Sequence, residues 1–239
     1  MKWLRMAWIY LHVAAATMVF GTLTMLTALF DRSKRFIGWH PRLWARWILW
    51  STGLPITIRG KELLQKGQQY IYMSNHASAL DIPLILAVLP GTVVFMAKKS
   101  LFHIFFFGWS LRATGSIPVD RSNAFKARQS MDRALKAMQA KAISLILFPE
   151  GTRTDDGRLL PFKRGVFHIA LNSRLPLVPV AVRGSFEALP PSTMSLTPTQ
   201  IQVTIGQPIE TKALTDKDCT ALLKDAHDRI QSLLDINST

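Results

Sequence analysis

A histidine and an aspartate stand five positions apart in a short segment, Asn75–His76–Ala77–Ser78–Ala79–Leu80–Asp81. An imidazole can take a proton from an alcohol as the alcohol oxygen attacks an electrophile. A nearby carboxylate would fix the tautomer of the ring and stabilise the imidazolium that forms. The pair is therefore a candidate general base with its orienting partner. A simpler interpretation also stays open, in which Asp81 caps a helix that starts at Ile82–Pro83.

The second candidate segment, Phe148–Pro149–Glu150–Gly151–Thr152–Arg153, combines a glycine turn with a guanidinium. Gly151 permits a tight turn that exposes backbone N–H groups, and Arg153 can bind a phosphate through two parallel hydrogen bonds. Lys163 and Arg164 follow and add positive charge. Glu150 would repel an anion unless it organises Arg153 or accepts hydroxyl protons. These residues alone leave open both an anion site and an ordinary charged loop.

Both segments follow apolar runs with the length and composition of β-strands. Such runs alternate with helical patterns from about residue 55 onward. We expect strands over residues 55–59, 70–74, 92–97, 116–119, 142–148, 177–183 and 200–205. We expect helices over residues 82–89, 124–140 and 165–173. The alternation predicts an α/β fold with a mixed, largely parallel sheet flanked by helices.

The C-terminal helix has the clearest local pattern. Residues 215–218 resemble a capping box, with a threonine first and an aspartate last. The apolar stripe that follows consists of Cys219, Leu222, Leu223, Ala226, Ile230, Leu233 and Leu234. Because the single cysteine lies in this stripe, we expect a buried, inert thiol. Residues 188–199 are rich in Pro, Ser and Thr, which predicts a surface loop.

The N-terminal region is apolar enough for a membrane. Residues 6–30 contain no Asp, Glu, Lys or Arg. As a helix they would extend about 37 Å, which exceeds the roughly 30 Å hydrocarbon core of a bilayer. A signal peptide is disfavoured, because the run is too long and residues 28–32 make a poor cleavage site. His12 and four threonines leave open two helices that dip into one leaflet.

Residues 41–50 predict a second, amphipathic helix, with Leu43, Trp44, Trp47 and Ile48 along one side. Six of the seven tryptophans precede residue 51, where indole rings suit a membrane–water boundary. The basic residues after the first helix outnumber Lys2 and Arg5 before it; they are Arg32, Lys34, Arg35, Arg42 and Arg46. The positive-inside rule then places the rest of the chain in the cytoplasm. We therefore expect an N-terminal membrane-embedded two-helix segment (1–54) and a catalytic domain (55–239).

The charge balance favours anionic partners. The chain of 239 residues has a formal net charge of +14, which suits anionic lipid, phosphorylated substrates or nucleic acid. Basic residues are dispersed between apolar runs without aromatic-rich RNA motifs, so nucleic acid is disfavoured. The sequence has no Gly-x-Ser-x-Gly elbow, dinucleotide glycine motif, P-loop or His-Glu-x-x-His.

Four blocks, in the same order along the chain, resemble those of the glycerolipid acyltransferases. They are Asn75–His76 with Asp81 (NHxxxxD), Gly115–Arg121 (Gly-x-x-Phe-Ile-Asp-Arg), Phe148–Arg153 (FPEGTR) and residues 178–182. The second block departs from the family at Pro118–Val119, where the family has Phe-Ile, and this bears on substrate fit. The likeness is greatest to the bacterial 1-acylglycerol-3-phosphate acyltransferases.

This resemblance implies acyl transfer from acyl-CoA or acyl carrier protein to the sn-2 hydroxyl of lysophosphatidate, giving phosphatidate. It implies that His76 is the general base, that Asp81 orients it, and that attack on the thioester is direct. The residues that it assigns to the glycerol phosphate are Glu150, Gly151, Thr152 and Arg153, with Arg121 assisting. It makes Lys98 a candidate for phosphate binding or for oxyanion stabilisation. The family's Ala-Lys-x-x-Leu pattern leaves Lys99 open as an alternative to Lys98. The resemblance calls for no metal or prosthetic group.

The resemblance also implies a location at the bacterial inner (cytoplasmic) membrane, with the bilayer as a partner and the catalytic domain on the cytoplasmic face. The apolar run Ile104–Phe107 would line an acyl tunnel, rest on the bilayer or belong to an ordinary core. Another lyso-lipid acceptor, such as lyso-ornithine lipid, is an alternative within the same fold. A non-catalytic, basic membrane-surface protein is the alternative from a different class.

Overall fold

A computed structural model describes residues 2–30, 38–120, 124–140 and 143–236 of the chain. The α-helices are α1 (Lys2–Phe30), α2 (Trp39–Thr52), α3 (Asp81–Val88), α4 (Phe107–Thr114), α5 (Ala124–Ala140), α6 (Arg164–Ser173), α7 (Ser185–Ala188) and α8 (Cys219–Asp235). The strands are β1 (Ile56–Arg59), β2 (Ile71–Ser74), β3 (Thr92–Lys98), β4 (Ile117–Val119), β5 (Ile143–Leu147), β6 (Leu177–Arg183) and β7 (Ile201–Ile205). Short 3-10 helices cover Lys61–Leu63, Lys99–His103 and Asp216–Asp218. Each strand begins and ends within one residue of its predicted bounds.

The chain divides into two compact units. The helical unit comprises residues 1–54 and 82–143, and the sheet unit comprises residues 55–81 and 144–239. Residues 82–143 thus belong to the same unit as the N-terminal helices. The predicted division into a membrane segment (1–54) and a catalytic domain (55–239) stays a prediction.

The strands pair mostly in parallel. In the sheet unit their order is β1-β7-β6-β2-β5. The β1/β7, β2/β5 and β2/β6 pairs are parallel, and the β6/β7 pair is antiparallel. In the helical unit, β3 and β4 pair in parallel. The predicted mixed, largely parallel α/β arrangement is confirmed.

The core of the sheet unit is built from uninterrupted apolar strands. Every residue of β2, β5 and β7 is buried, as are six of the seven residues of β6. Strands that are covered on both faces need such continuous runs. The C-terminal helix α8 packs against β6 and α6. Four members of its predicted stripe are buried, namely Cys219, Leu222, Ala226 and Ile230.

The start of the C-terminal helix has the predicted capping box. The backbone N–H of Thr215 donates to Asp218 Oδ2 at 2.8 Å, and the Thr215 hydroxyl donates to the same oxygen at 2.9 Å. Thr215 is the N-cap residue, and its backbone N–H has no acceptor within the helix. The Asp218 carboxylate supplies that acceptor. Cys219 follows directly as a buried free thiol, as predicted.

In the helical unit, α1 is the most apolar element. Among the described residues, Trp3–Phe30 is long and apolar enough to cross a membrane, judged by length and composition. Its large apolar side chains face outward, with Trp3, Leu4 and Phe30 exposed by 87%, 76% and 87%. A core helix would bury such side chains, so this exposure suits a helix that sits in a membrane.

The second helix packs against α1. Trp44 Nε1 donates to Thr17 Oγ1 at 3.1 Å, which joins the two helices by a side-chain hydrogen bond. The buried side of α2 includes Ala45, Ile48 and Leu49. Leu43, which the helical pattern placed beside Ile48, is 40% exposed. The predicted amphipathic helix is present, but its buried side is rotated away from Leu43.

Arg42 has a structural task in this unit. Its guanidinium donates to the carbonyl oxygens of Leu89 at 2.8 Å and Gly91 at 2.7 Å. Leu89 follows the last residue of α3, where carbonyl groups lack partners within the helix and a positive charge is favourable. Arg42 thereby ties α2 to the end of α3. Of the other basic residues that follow the first helix, Arg46 is exposed on α2, and Arg32, Lys34 and Arg35 lie outside the described residues.

Helix α4 is the main element that the sequence patterns did not predict. Phe106, which precedes it, has a φ of 64°, and such a left-handed residue breaks the local periodicity. Gly108 fits only as glycine, because a Cβ there would lie 2.3 Å from the carbonyl oxygen of Phe102. The turn lets α4 fold back, and α4 packs against α1.

Candidate active site

The two candidate segments follow neighbouring parallel strands of the sheet unit. In the β2/β5 register, Met73 lies opposite Leu147, the last residue of β5. Because parallel strands leave a sheet at the same edge, the segments that follow them begin side by side. His76 and Glu150 are therefore in direct contact although 74 positions separate them.

His76 and Asp81 form a hydrogen-bonded pair. The distance from His76 Nδ1 to Asp81 Oδ2 is 2.9 Å. A carboxylate only accepts hydrogen bonds, so Nδ1 carries a proton in this contact, and in the neutral imidazole the lone pair is then on Nε2. The imidazole also stacks on the Phe148 ring, with the centroids 4.0 Å apart and the planes at 19°. Carboxylate and ring together hold the imidazole in one orientation.

Asp81 serves the histidine and the preceding loop rather than its own helix. Its Oδ2 also accepts the backbone N–H groups of Ala77 at 2.7 Å and Ser78 at 2.8 Å. Both amides precede α3, whereas a helix cap would accept amides of the first turn. Oδ1 is buried and accepts no hydrogen bond from a described residue. This geometry favours the His–Asp pair over the helix cap.

Glu150 lies under the histidine loop and is only 3% exposed. Its Oε1 accepts the backbone N–H of His76 at 2.6 Å, and its Oε2 accepts that of Leu160 at 2.9 Å. Burial raises the pKa of the Glu150 carboxyl to about 7, and the Asp81 charge adds to this, while the two amide hydrogen bonds oppose it. Both carboxylate oxygens are thus occupied by the backbone, which accounts for a carboxylate next to a predicted anion site.

Asn75 fixes the other side of the loop. Its side-chain amide donates to the carbonyl oxygen of Val182 at 2.8 Å, and its Oδ1 accepts the Val182 N–H at 2.8 Å. The amide therefore imitates a peptide group and extends the β2/β6 pairing by one step beyond Ser74. Because Asn75 is 5% exposed, both hydrogen bonds are shielded from water. The preceding residue of the motif is thus an anchor for His76.

Gly151 lies at the centre of a tight turn with a φ of 76°. The turn is closed by the Gly151 N–H, which donates to the carbonyl oxygen of Phe148 at 3.0 Å. A Cβ on Gly151 would lie 2.7 Å from Lys163 Nζ, so the lysine side chain lies directly against the turn. Lys163 lies outside the Phe148–Arg153 block, and the sequence indicated only that it adds positive charge after this block.

The remaining predicted residues differ in their surroundings. Thr152 and Arg153 follow the turn, and both are exposed. Lys98 is the exposed last residue of β3 and belongs to the helical unit. Its neighbour Lys99 pairs with Asp120, at 3.7 Å from Nζ to Oδ2. Arg121 lies outside the described residues, so its predicted role stays a prediction.

The sequence and fold define the class. Residues 55–183 match the family model described as Acyltransferase, and the chain belongs to this family. The match covers His76, Asp81 and the turn at Gly151.

Three relatives illustrate the likeness, each titled a 1-acyl-sn-glycerol-3-phosphate acyltransferase. The protein from Limnanthes alba is 40% identical over 181 residues, which are 76% of this chain and 64% of the relative. The alpha form from Homo sapiens is 33% identical over 170 residues, 71% of this chain and 60% of the relative. The protein from Saccharomyces cerevisiae is 35% identical over 165 residues, which are 68% of this chain and 54% of the relative. The matches thus span between about half and two thirds of these relatives' length.

A solved structure has the same fold. It is the crystal structure of the 1-acyl-sn-glycerophosphate (LPA) acyltransferase PlsC from Thermotoga maritima, with a TM-score of 0.84. The superposition covers 100% of this chain and 98% of that one, at 22% sequence identity. At this identity the likeness concerns the fold, and it includes the N-terminal helices as well as the sheet.

Proposed function

We propose that this protein transfers a fatty acyl group from a thioester donor to the sn-2 hydroxyl of 1-acylglycerol-3-phosphate, giving phosphatidate. The observation that carries the proposal is the His76–Asp81 pair at 2.9 Å within a chain of the Acyltransferase family. The relatives from Limnanthes alba and Homo sapiens are named for this acceptor, which supports it as the substrate here. Acyl-CoA and acyl carrier protein are both donors with the required thioester.

His76 Nε2 is the base in this mechanism. It takes the proton of the sn-2 hydroxyl as the hydroxyl oxygen attacks the thioester carbonyl carbon. A C–O bond forms, the C–S bond breaks, and the imidazolium gives the proton from the hydroxyl to the departing thiolate. Asp81 stabilises that imidazolium, because its Oδ2 already accepts the Nδ1 hydrogen. The acyl group passes directly from sulfur to oxygen, without an acyl-enzyme.

The turn after β5 binds the acceptor phosphate. Arg153 and the backbone N–H groups of Thr152 and Arg153 are the donors on this turn, and Lys163 adds a charge beside it. We assign Glu150 a positioning role, because both of its oxygens already accept backbone N–H groups. Lys98 and Arg121 keep their proposed part in phosphate binding.

The membrane supplies the acceptor. A lysophospholipid resides in the bilayer, and α1 is a helix of suitable length and apolarity to hold the enzyme there. We place the protein at the cytoplasmic face of the inner membrane of a bacterium, where thioester donors are made. The positive net charge of +14 suits an anionic leaflet.

The test is an assay of the full chain, purified in detergent, with lysophosphatidate and either acyl-CoA or acyl carrier protein as donor. We expect phosphatidate to form, and His76→Ala to lower kcat by about 10²–10⁴-fold. His168→Ala is the matched control, because His168 Nδ1 also faces a carboxylate, Asp216, at 3.1 Å but on the surface. Lack of turnover with lysophosphatidate, or turnover with lyso-ornithine lipid instead, would overturn the proposed acceptor.

The phosphate assignment has its own test. Arg153→Ala should raise the KM for lysophosphatidate by about tenfold or more, since a charge-assisted hydrogen bond contributes roughly 1.5–3 kcal/mol. Arg158→Ala is the control in the same loop, because Arg158 is exposed and pairs with Asp156 at 3.7 Å. If both substitutions raised the KM for lysophosphatidate equally, Arg153 would contribute only general positive charge, and its assignment to the phosphate would be wrong.

A further inference from the structure

The helical unit contains a surface cavity that the proposed reaction does not use. It has a volume of about 450 Å³ and lies between the 3-10 helix Lys99–His103, β4 and α5. Small-molecule sites commonly measure about 300–1,000 Å³, so the cavity is large enough for a small ligand. Buried Ser116 and Ser130 are among its lining residues.

Four lysine and arginine side chains line this cavity, namely Lys99, Arg112, Lys126 and Arg133. Among the described residues of the lining, Asp120 is the single carboxylate, and it pairs with Lys99 at 3.7 Å. The other three cationic side chains, Arg112, Lys126 and Arg133, have no carboxylate partner among these described lining residues. Like charges that converge on one cavity repel, and a bound anion would relieve this repulsion.

The helix α5 and contacts with neighbouring side chains hold these cations in place. Lys126 and Arg133 are seven positions apart on α5, which places them two turns apart on the same helix face. Arg133 is oriented by its hydrogen bond to Gln129 Oε1 at 2.9 Å. The Arg112 guanidinium lies 5.8 Å from the ring centroid of buried Phe102. Two guanidiniums are thus held at the cavity, and guanidinium is the side chain that matches phosphate oxygens best.

Exposed apolar side chains follow the cavity lining in the chain. Ile104, Phe105 and Trp109 are exposed by 51%, 77% and 51%, and they follow the lining residues Phe102 and His103 in the chain. The helix that carries Trp109 packs against α1, the candidate membrane helix. An anionic amphiphile could place its headgroup in the cationic cavity and its tail against these exposed apolar side chains.

We propose that this cavity of the helical unit binds a phosphate group, in addition to the phosphate proposed for the turn at Gly151. The neighbouring apolar side chains favour the headgroup of an anionic phospholipid as the source of that phosphate. A soluble phosphate ester, such as the 3′-phosphate of CoA, has the same chemistry. The inference does not depend on the reaction proposed for His76.

The test compares two double variants of the full chain in detergent micelles. Lys126→Ala with Arg133→Ala removes two cations from the cavity wall. Arg128→Ala with Lys136→Ala removes two exposed cations from the same helix that do not line the cavity. Both pairs change the net charge equally, and alanine is the strongest helix former, so circular dichroism should show α5 intact in each.

Two binding measurements distinguish the sources of phosphate. Native mass spectrometry counts phosphatidylglycerol retained per chain against phosphatidylcholine, and calorimetry compares CoA with dephospho-CoA. For the cavity variant we expect about a tenfold loss of phosphatidylglycerol binding relative to the control variant. A loss confined to the preference for CoA over dephospho-CoA would support the phosphate site and assign it to a soluble ester. Equal losses in both double variants, or no loss in either, would overturn the proposal.

Discussion

Replacement of Glu150 by glutamine separates the charge of this residue from its shape. The carboxylate is 3% exposed and accepts backbone N–H groups from His76 and Leu160. Its pKa is raised to about 7 in the folded protein, chiefly because burial disfavours the charged form. In the unfolded chain the same carboxyl would titrate near its ordinary value of 4.5.

The difference between these two values sets the size of the effect. A shift from 4.5 to about 7 corresponds to roughly 3 kcal/mol, at 1.36 kcal/mol per pKa unit. The folded protein binds the Glu150 proton more tightly than the unfolded chain does. This contribution to stability is therefore fully present below about pH 4.5 and is lost as the pH rises through about 7.

Glu150→Gln should abolish this part of the pH dependence, because an amide does not titrate. The amide has one oxygen, so it can accept only one of the two backbone N–H groups and turns its own NH₂ towards the other. We expect a cost of about 1–3 kcal/mol at low pH for the N–H that loses its acceptor. Near pH 8 the cost should shrink or reverse, since the glutamine avoids the burial of a charge.

The measurement is the free energy of unfolding from denaturant titrations between roughly pH 4.5 and 8, for wild type, Glu150→Gln and the control Glu187→Gln. Glu187 is exposed on α7, so its replacement should leave the wild-type pH profile unchanged. Acyl transfer measured in parallel reports on the position of the His76 loop. Parallel stability profiles for wild type and Glu150→Gln would refute the reasoning, because the titrating group would then lie elsewhere.

Three further substitutions test the site. Asp81→Asn should lower kcat by about 10²–10⁴-fold with little change in the KM for lysophosphatidate, since the amide no longer fixes the His76 tautomer; a change confined to KM would contradict this. Gly151→Ala should destabilise by about 1–3 kcal/mol in denaturant titrations, because φ is 76° and Lys163 Nζ lies 2.7 Å from the new Cβ. Adding Lys163→Ala should recover only the steric part, so full recovery would exclude backbone strain. Asn75→Ala should cost about 1–3 kcal/mol through the unpaired Val182 groups, and an unchanged unfolding midpoint would disprove the anchor.

Local patterns predicted the elements of the fold well. Uninterrupted apolar runs bounded by turn residues placed all the strands of the described chain within one residue. The capping box at Thr215–Asp218 and the buried position of Cys219 were likewise predicted from neighbouring residues. These features depend on interactions within a few positions, so a sequence carries them directly. Helix α4 was missed because it depends on the left-handed Phe106 and on the contact of Gly108 with Phe102.

The sequence by itself determined which side chains could do chemistry: an imidazole, a carboxylate five positions on, and a turn with a guanidinium. It could not decide whether Asp81 caps a helix or faces His76, because the loop between β2 and α3 sets that distance. Nor could it assign Glu150, whose partners His76 and Leu160 are amides that any residue could supply. Tertiary structure decided both points, since parallel pairing of β2 with β5 and β6 brings segments 74 and 107 positions apart into hydrogen-bonding distance.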